Sequence, residues 1–479
     1  MNASAAPGGD PGSLPAEVRV VNVGLSLFAD AVRAQGAAAV DVDWRIPAGG
    51  RPELVAALAR LYGPLAERVD AANREVLRRL DTGAPALVGV ATAAAVVPGM
   101  GGRTVLHCGP PLAWDDFCDP LRRSARATVM AEGWAATAAE ADRLIAAGGV
   151  ELEPANHHAT VVPMATTLGP SAPVLVVDNP PGGNRAFAPI NQGPGLTAWF
   201  GADAPAAVER LVWLRDAAAP VLAAALAGAG EVELFPIAAQ GLQMGDDLHM
   251  RTQAATNLLL RHLLPDLVAV EDPALGEVAR FLSGNHLFFL NLAMAAAKAV
   301  TDWAASVPDA SVVVAMARNG TTFGIRLAGD AGWSAAPAPP VGRALYYPGF
   351  GPDSSAPDIG DSAVLELVGL GGPAAAASPA VAAFLGGTVA DAVATTEAMD
   401  RICLGRSSRF KLPLLDYRGT PVGVDVRRVV ELELTPSINT GILHASEGTG
   451  QVGAGIAEAP VACFQQALLG LDARLAPGG

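Results

Sequence analysis

Residues 245–257 read GDDLHMRTQAATN and crowd Asp246, Asp247, His249 and Arg251 into the approach to a helix. Two carboxylates, an imidazole and a guanidinium this close supply acid–base groups and anion-binding charge at a helix N-terminus. An N-cap role for Asp246 or Asp247 is an equal alternative. Residues 284–299, GNHLFFLNLAMAAAKA, put Asn291 and Lys298 seven positions apart on one helical face, with Asn285 and His286 just before. Polar groups in so apolar a helix need internal partners or a cavity to face. Structural hydrogen bonding suffices for Asn285 and His286, whereas Lys298, one of only two lysines, is a candidate to meet an anion. In MARNGTTFGI (316–325), Arg318 and Asn319 stand beside Gly320 at the end of a strand-like run. That position suits ligand contacts, and Asn-Gly is also an ordinary hairpin turn.

Glycines form the next pattern. In GTGQVGAGIAEAP (448–460), Gly448, Gly450 and Gly453 satisfy G-x-G-x-x-G and Gly455 adds a fourth. A dinucleotide loop must follow the first strand of a βαβ unit, yet only 26 residues follow Gly453, room for a single helix. Neither NAD nor NADP is expected, and no other cofactor is. The glycine N–H groups can still line a concavity that holds an anion, with a tight structural turn as the alternative. Asp358, Asp361 and Glu366 in PDIGDSAVLELVGLGG (357–372) could in principle hold a divalent cation. Loop carboxylates more often cap or stay solvated, and the seven histidines lack H-x-x-x-H or H-E-x-x-H spacing, so no metal is expected. Neither a G-x-S-x-G elbow nor a Walker A loop is present.

The elements that must position these residues read as α/β and α+β in several domains. VRVVNVG, residues 25–35 and AAVDVDW make strand, helix and strand within about thirty residues, a βαβ unit with a parallel sheet. With the helical stretch 52–80 and the strand-like run 86–97 they suggest a Rossmann-like domain over 18–105. Its first turn, VNVGLSLFAD, has one glycine where a cofactor fingerprint has three. An α+β domain over 106–245, a helical segment over 246–305 and a Gly-rich α+β domain over 306–479 complete the expected order. Within the last, residues 378–404 read as one helix and VGVDVRRVVELEL as a strand.

The 479 residues are 51% hydrophobic and 16% charged, enough apolar content for large buried cores. Net charge is −15 without a basic run, which argues against nucleic acid and anionic membrane surfaces as partners. Cys108, Cys118, Cys403 and Cys463 form no C-x-x-C pair and read as reduced, buried thiols. MNASAAPGGDPGSLPAE lacks the charge-then-apolar order of a signal peptide, so residues 1–17 read as a disordered tail and the protein as cytoplasmic. The apolar run 281–300 includes Asn285, His286, Asn291 and Lys298, costly in hydrocarbon, and reads as a buried helix. The pattern suits a small anionic substrate.

Several long segments resemble the YlbE/YahG-like family, which includes AllG, a subunit of bacterial oxamate carbamoyltransferase. Among them are VPGMGGRTVLHCGPPLAW, MGDDLH, GNHLFFLNLAMAAAKA, MARNGTTFGI, DIGDSA, LLDYRGTPVGVDVRRVV and PSINTGILHASEGTGQVGAGIAEAPVACF. The resemblance covers about residues 18–469. It implies transfer of a carbamoyl group between phosphate, as carbamoyl phosphate, and an amide nitrogen, as in oxamate giving oxalurate. It also implies an FdrA-like partner resembling a succinyl-CoA synthetase subunit, and a further small subunit; a homo-oligomer is compatible with it. Val162, Gln192, Met250 and Leu367 depart from the family pattern, which points toward a different acceptor. On this basis phosphate is expected at Gly448, Gly450, Gly453, Gly455 and Arg318, with Arg251, Lys298, Asn285 and Asp361 as further substrate contacts. Asn319 or His286 would polarise the carbonyl, and His249 or Asp246 would move the proton. The alternative is a non-catalytic assembly or nucleotide-binding subunit.

Overall fold

The computed structural model describes residues 18–42 and 46–476; the stretch 1–17, expected as a tail, lies outside them. The chain divides into two compact units, residues 1–50 and 51–479.

The first unit holds strand Arg19–Val23, helix Ser26–Ala34 and strand Ala38–Val42, with the strands parallel and Val21 opposite Val40. The βαβ unit is therefore present, but among the described residues its sheet has two strands only. The expected Rossmann-like domain does not form over 18–105. The run expected as its third strand, Ala86–Thr92, pairs antiparallel with Pro173–Asn179 and Val232–Glu233 in the second unit instead.

Five small sheets in the second unit draw on every part of the chain beyond residue 50. At their centre is helix Phe288–Ala305, buried on nearly all sides. It packs on strands Pro173–Asn179 and Asn184–Pro189 and on helix Ala66–Thr82. A helix apolar all round belongs in a core, and burying Phe289 and Leu292, both 0% exposed, stabilises the fold by about 1.5–3 kcal/mol each. The apolar run 281–300 is thus two helices, Leu275–Gly284 and Phe288–Ala305, broken at Asn285–Leu287. Among the described helices, one continuous run, Pro205–Ala229, is long and apolar enough to cross a membrane.

Two further local readings change. Residues 378–404 split into helices Pro379–Phe384 and Val389–Ile402, parted at Gly386 and Gly387, because two successive glycines favour a turn over a helix. VGVDVRRVVELEL is strand then helix: Asp425 accepts from the Arg427 N–H and caps Val426–Leu432.

Candidate functional site

The loop before helix Gln253–Leu267 is a knot of backbone hydrogen bonds. Asp247 accepts from the N–H groups of His249, Met250 and Arg251, and from the Asn439 side chain. Leu248 is held at φ +66°, a left-handed conformation that a branched side chain resists. Asp246 accepts from the Ala255 N–H at 2.9 Å and serves one of the helix's orphan donors. Burial pushes its carboxyl up to about 6, against the pull of the Ala255 and Ala254 N–H groups. Its second oxygen lies 3.4 Å from Arg251 Nε. Asp246 is therefore a cap and an anchor for Arg251, the bland reading of the sequence.

The knot fixes His249. Its Nδ1 lies 2.7 Å from Glu366 Oε1, and both side chains are buried. Nδ1 thus donates to the carboxylate, leaving Nε2 as the free ring nitrogen. Oε1 also accepts from the N–H groups of Gly372 (3.3 Å) and Asn439 (3.4 Å), while Oε2 is buried without a partner. Burial raises the Glu366 carboxyl, and His249 pulls it back. Gly371, at φ +63°, must be glycine here, because a Cβ would collide with Glu366 Oε1.

His249 lines a recess of ≈ 60 Å³ together with Met164, Leu290, Ser362, Thr440 and Gln451. Behind it lies Arg318, 0% exposed. Its guanidinium donates to both oxygens of Asp358 (2.7 and 2.9 Å), to the Gly360 carbonyl, and to the Ser362 and Thr440 hydroxyls. Five donors thus meet five acceptors, so no N–H remains for a ligand. Thr440 in turn donates to Asp358, whereas Ser362 accepts from Arg318 and keeps its own proton for the recess.

The recess shares Trp199, Phe200, Met250, Leu287, Gln451 and Ala454 with a wider cavity of ≈ 700 Å³, of which it is the inner end. Arg251, His286 and Asn285 supply the polar side of the wide part, and Arg251 is the one permanently charged side chain lining it. Burial lowers the His286 imidazole, whose ring is exposed to the cavity. Asn285 donates to Asn191, which donates to Asn291, which donates to the Pro189 carbonyl. The chain of amides ties the core helix to the loop at Gly193, whose N–H also reaches Asn191.

The structure therefore gathers His249, Arg251, Asn285 and His286 around one hollow, with Asp246 behind Arg251. The other expected site residues are engaged elsewhere. Asn319 donates to the Pro110 carbonyl and accepts from the Thr321 and Thr322 N–H groups, so the hairpin reading holds. Lys298 donates to Asp302 and to the Asn156 carbonyl inside the core. Asp361 accepts from the Gly109 and Val162 N–H groups, and burial pushes it up to about 7. Arg318 organises the recess from behind instead of meeting phosphate. Gly453 and Gly455 are not in a loop: they lie in strand Gln451–Glu458, between strands Arg343–Tyr346 and Ser437–Leu443. A Cβ on either would strike the backbone of Arg343–Tyr346, so those two glycines permit strand packing. Only the turn at Gly448 and Gly450, both at positive φ, remains loop, and it brings Thr449 to the cavity. The residues that sequence reasoning did not place in a site are Ser362, Thr440, Trp199, Phe200 and Tyr347, and Glu366 as partner to an imidazole. Only DIGDSA and the carboxylate at Glu366 gave any signal.

Comparisons with known proteins agree over most of the chain. A family model described as "Oxamate carbamoyltransferase subunit AllG" matches residues 150–362. The chain is 36% identical over 459 residues to "Uncharacterized protein YahG" of Escherichia coli (strain K12), covering 95% of this chain and 97% of that one. It is 40% identical over 403 residues to "Oxamate carbamoyltransferase subunit AllG" of the same organism, covering 83% and 96%. A crystal structure of a conserved protein of unknown function from Enterococcus faecalis V583 superposes with a TM-score of 0.84 at 34% identity, covering 86% of this chain and 99% of that one.

Proposed function

The chain belongs to the YahG/AllG family, and on that premise we propose that it is a carbamoyltransferase subunit whose cavity binds the reactants. The transfer runs between phosphate and the amide nitrogen of oxamate or a related small acid. One observation carries this reading: an imidazole oriented by a buried carboxylate opens onto a small recess at the inner end of a larger cavity. A carboxylate on Nδ1 fixes the tautomer and favours the ring as proton acceptor at Nε2.

In this mechanism the amide nitrogen of the acceptor attacks the carbonyl carbon of carbamoyl phosphate. The carbon–oxygen bond to phosphate breaks as the new carbon–nitrogen bond forms. His249 Nε2 takes the proton from the amide nitrogen and returns it to the departing phosphate. The Ser362 hydroxyl donates to the carbamoyl oxygen, where negative charge grows in the transition state. Arg251, anchored by Asp246, meets the phosphate, with His286 and Asn285 beside it and the Thr449 turn opposite. The working enzyme is an assembly with an FdrA-like subunit and a further small subunit, in the cytoplasm.

Phosphate release from carbamoyl phosphate with oxamate, and phosphorolysis of oxalurate, are measured on the chain alone and with its co-purifying subunits. His249→Gln should abolish both reactions in the assembly. Arg251→Ala should raise KM for carbamoyl phosphate about tenfold, the effect of losing one charge-assisted contact. Full activity in His249→Gln assemblies would leave this chain a non-catalytic subunit.

A further inference from the structure

The hollow is much larger than the proposed reactants, and most of its wall is the wrong chemistry for them. A cavity of about 150 Å³ holds benzene. Oxamate has as many non-hydrogen atoms, and carbamoyl phosphate needs about 200 Å³ on the same scale. Together they fill about half of the ≈ 700 Å³ available. The recess of ≈ 60 Å³ has room for the carbamoyl group alone, beside His249 and Ser362.

The remaining space is walled by Leu196, Phe200, Leu287, Tyr347 and Phe384. Leu196, Tyr347 and Phe384 are 53%, 38% and 47% exposed at the rim, where large apolar side chains stay in water unless something covers them. Two small polar anions give such a wall nothing to bury, and the wall gives their polar atoms no partners. Apolar and aromatic walls with a few convergent polar groups are the usual make-up of a site for a larger organic ligand.

Resting on the carbamoyl-transfer reading, we propose that the acceptor is an amide acid bearing an apolar, preferably aromatic, substituent, and that its carbamoylated product is the corresponding ureido acid. Its carboxylate meets His286 and Asn285 beside the phosphate held by Arg251, and its amide end reaches the recess, which holds the ureido end once the carbamoyl group is transferred. The substituent lies against Phe384, Tyr347 and Leu196. These three are specificity residues: they touch the ligand's body and none of the reacting atoms.

The test measures binding to the chain in the assembly with which it purifies, using N-carbamoylglycine, N-carbamoylphenylalanine and 3-phenylpropionate. The first two differ only in a benzyl group, and the last has the ring and carboxylate without the ureido group. N-carbamoylphenylalanine should bind at least about tenfold more tightly than N-carbamoylglycine, a modest return for burying a benzyl group. Phe384→Ala, at an exposed position that leaves the core intact, should remove most of that preference and leave N-carbamoylglycine unchanged. Equal binding of the two ureido acids overturns this inference and leaves carbamoyl transfer standing. If 3-phenylpropionate binds as well as N-carbamoylphenylalanine, the apolar subsite exists but the ureido group is not read, and carbamoyl transfer at this site falls. Binding of none of the three overturns both.

Discussion

Replacing Glu366 with glutamine should slow the reaction without destabilising the protein, because it removes a charge while sparing the geometry. All three donors that reach this carboxylate, His249 Nδ1 and the N–H groups of Gly372 and Asn439, converge on Oε1. A glutamine Oε1 can accept all three, and its amide nitrogen then takes the place of an oxygen that already has no partner. What disappears is the negative charge that, in the proposed proton transfer, would stabilise the protonated ring. A hydrogen bond to a charged group contributes about 1.5–3 kcal/mol and a neutral one about 1, so the loss is about 0.5–2 kcal/mol. In turnover that corresponds to a fall of about 2- to 30-fold. Stability should hold or rise, since burial raises the Glu366 carboxyl and its charge is an unfavourable occupant of the core. Glu366→Ala abolishes orientation as well, and should cost about 100- to 10,000-fold together with lowered stability. The assays are kcat for phosphate release, thermal unfolding, and ring-nitrogen chemical shifts of His249, which report the tautomer. Wild-type turnover in Glu366→Gln, with the tautomer unchanged, would refute a proton-transfer role for the pair.

Arg318→Ala leaves the buried Asp358 charge without its cation, with only the Thr440 hydroxyl still donating to it, and should destabilise by about 3–5 kcal/mol in thermal or urea unfolding; a loss under about 1 kcal/mol would contradict the network described. Asp246→Asn tests the sign of a buried charge. The wild-type carboxyl stands at about 6 in the fold against an ordinary 3.8, so the folded state favours the protonated form. Its ionisation opposes folding by up to about 3 kcal/mol, an effect absent below about pH 4 and complete above about pH 6–7. Melting temperatures of Asp246→Asn relative to wild type should therefore rise from pH 4 to pH 8, and a fall would mean that the Arg251 pair outweighs burial. Gly371→Ala should lower both stability and rate, by about 1–3 kcal/mol for the strained backbone alone, with crowding of Glu366 added. Lys298→Met should leave KM for carbamoyl phosphate unchanged, and a raised KM would return Lys298 to the site.

Part of the hollow's polar lining was legible because its loop is local. Asp246, Asp247, His249 and Arg251 lie within a few residues, and the same turn that makes Asp247 a hub sets His249 and Arg251 on the cavity side. The reading went astray wherever function depends on who meets whom across the chain. Arg318 looks like a phosphate ligand beside Gly320 until Asp358, forty residues later, takes its Nε and one Nη. Gly453 completes a loop spacing with Gly448 and Gly450, yet it and Gly455 sit two apart on one face of a strand, because period two also fits them. Glu366 carries no local mark of its role, since its imidazole is 117 residues away. The βαβ pattern was read correctly, but the sheet it belongs to is fixed by partners that periodicity cannot name, and Ala86–Thr92 joined another one.

The pairing of Glu366 with His249 also bears on how the molecule can be divided. Both residues precede the exposed turn at Gly386, whereas Thr440, Gln451 and the strands that carry them follow it. A polypeptide nicked at that turn would keep its imidazole, its carboxylate and the apolar rim on one fragment, and carry Thr440, Thr449, Gln451 and Ala454 of the lining on the other. Two such fragments, each silent alone, would recover turnover on mixing only as they reassociate, so catalysis itself would report complementation.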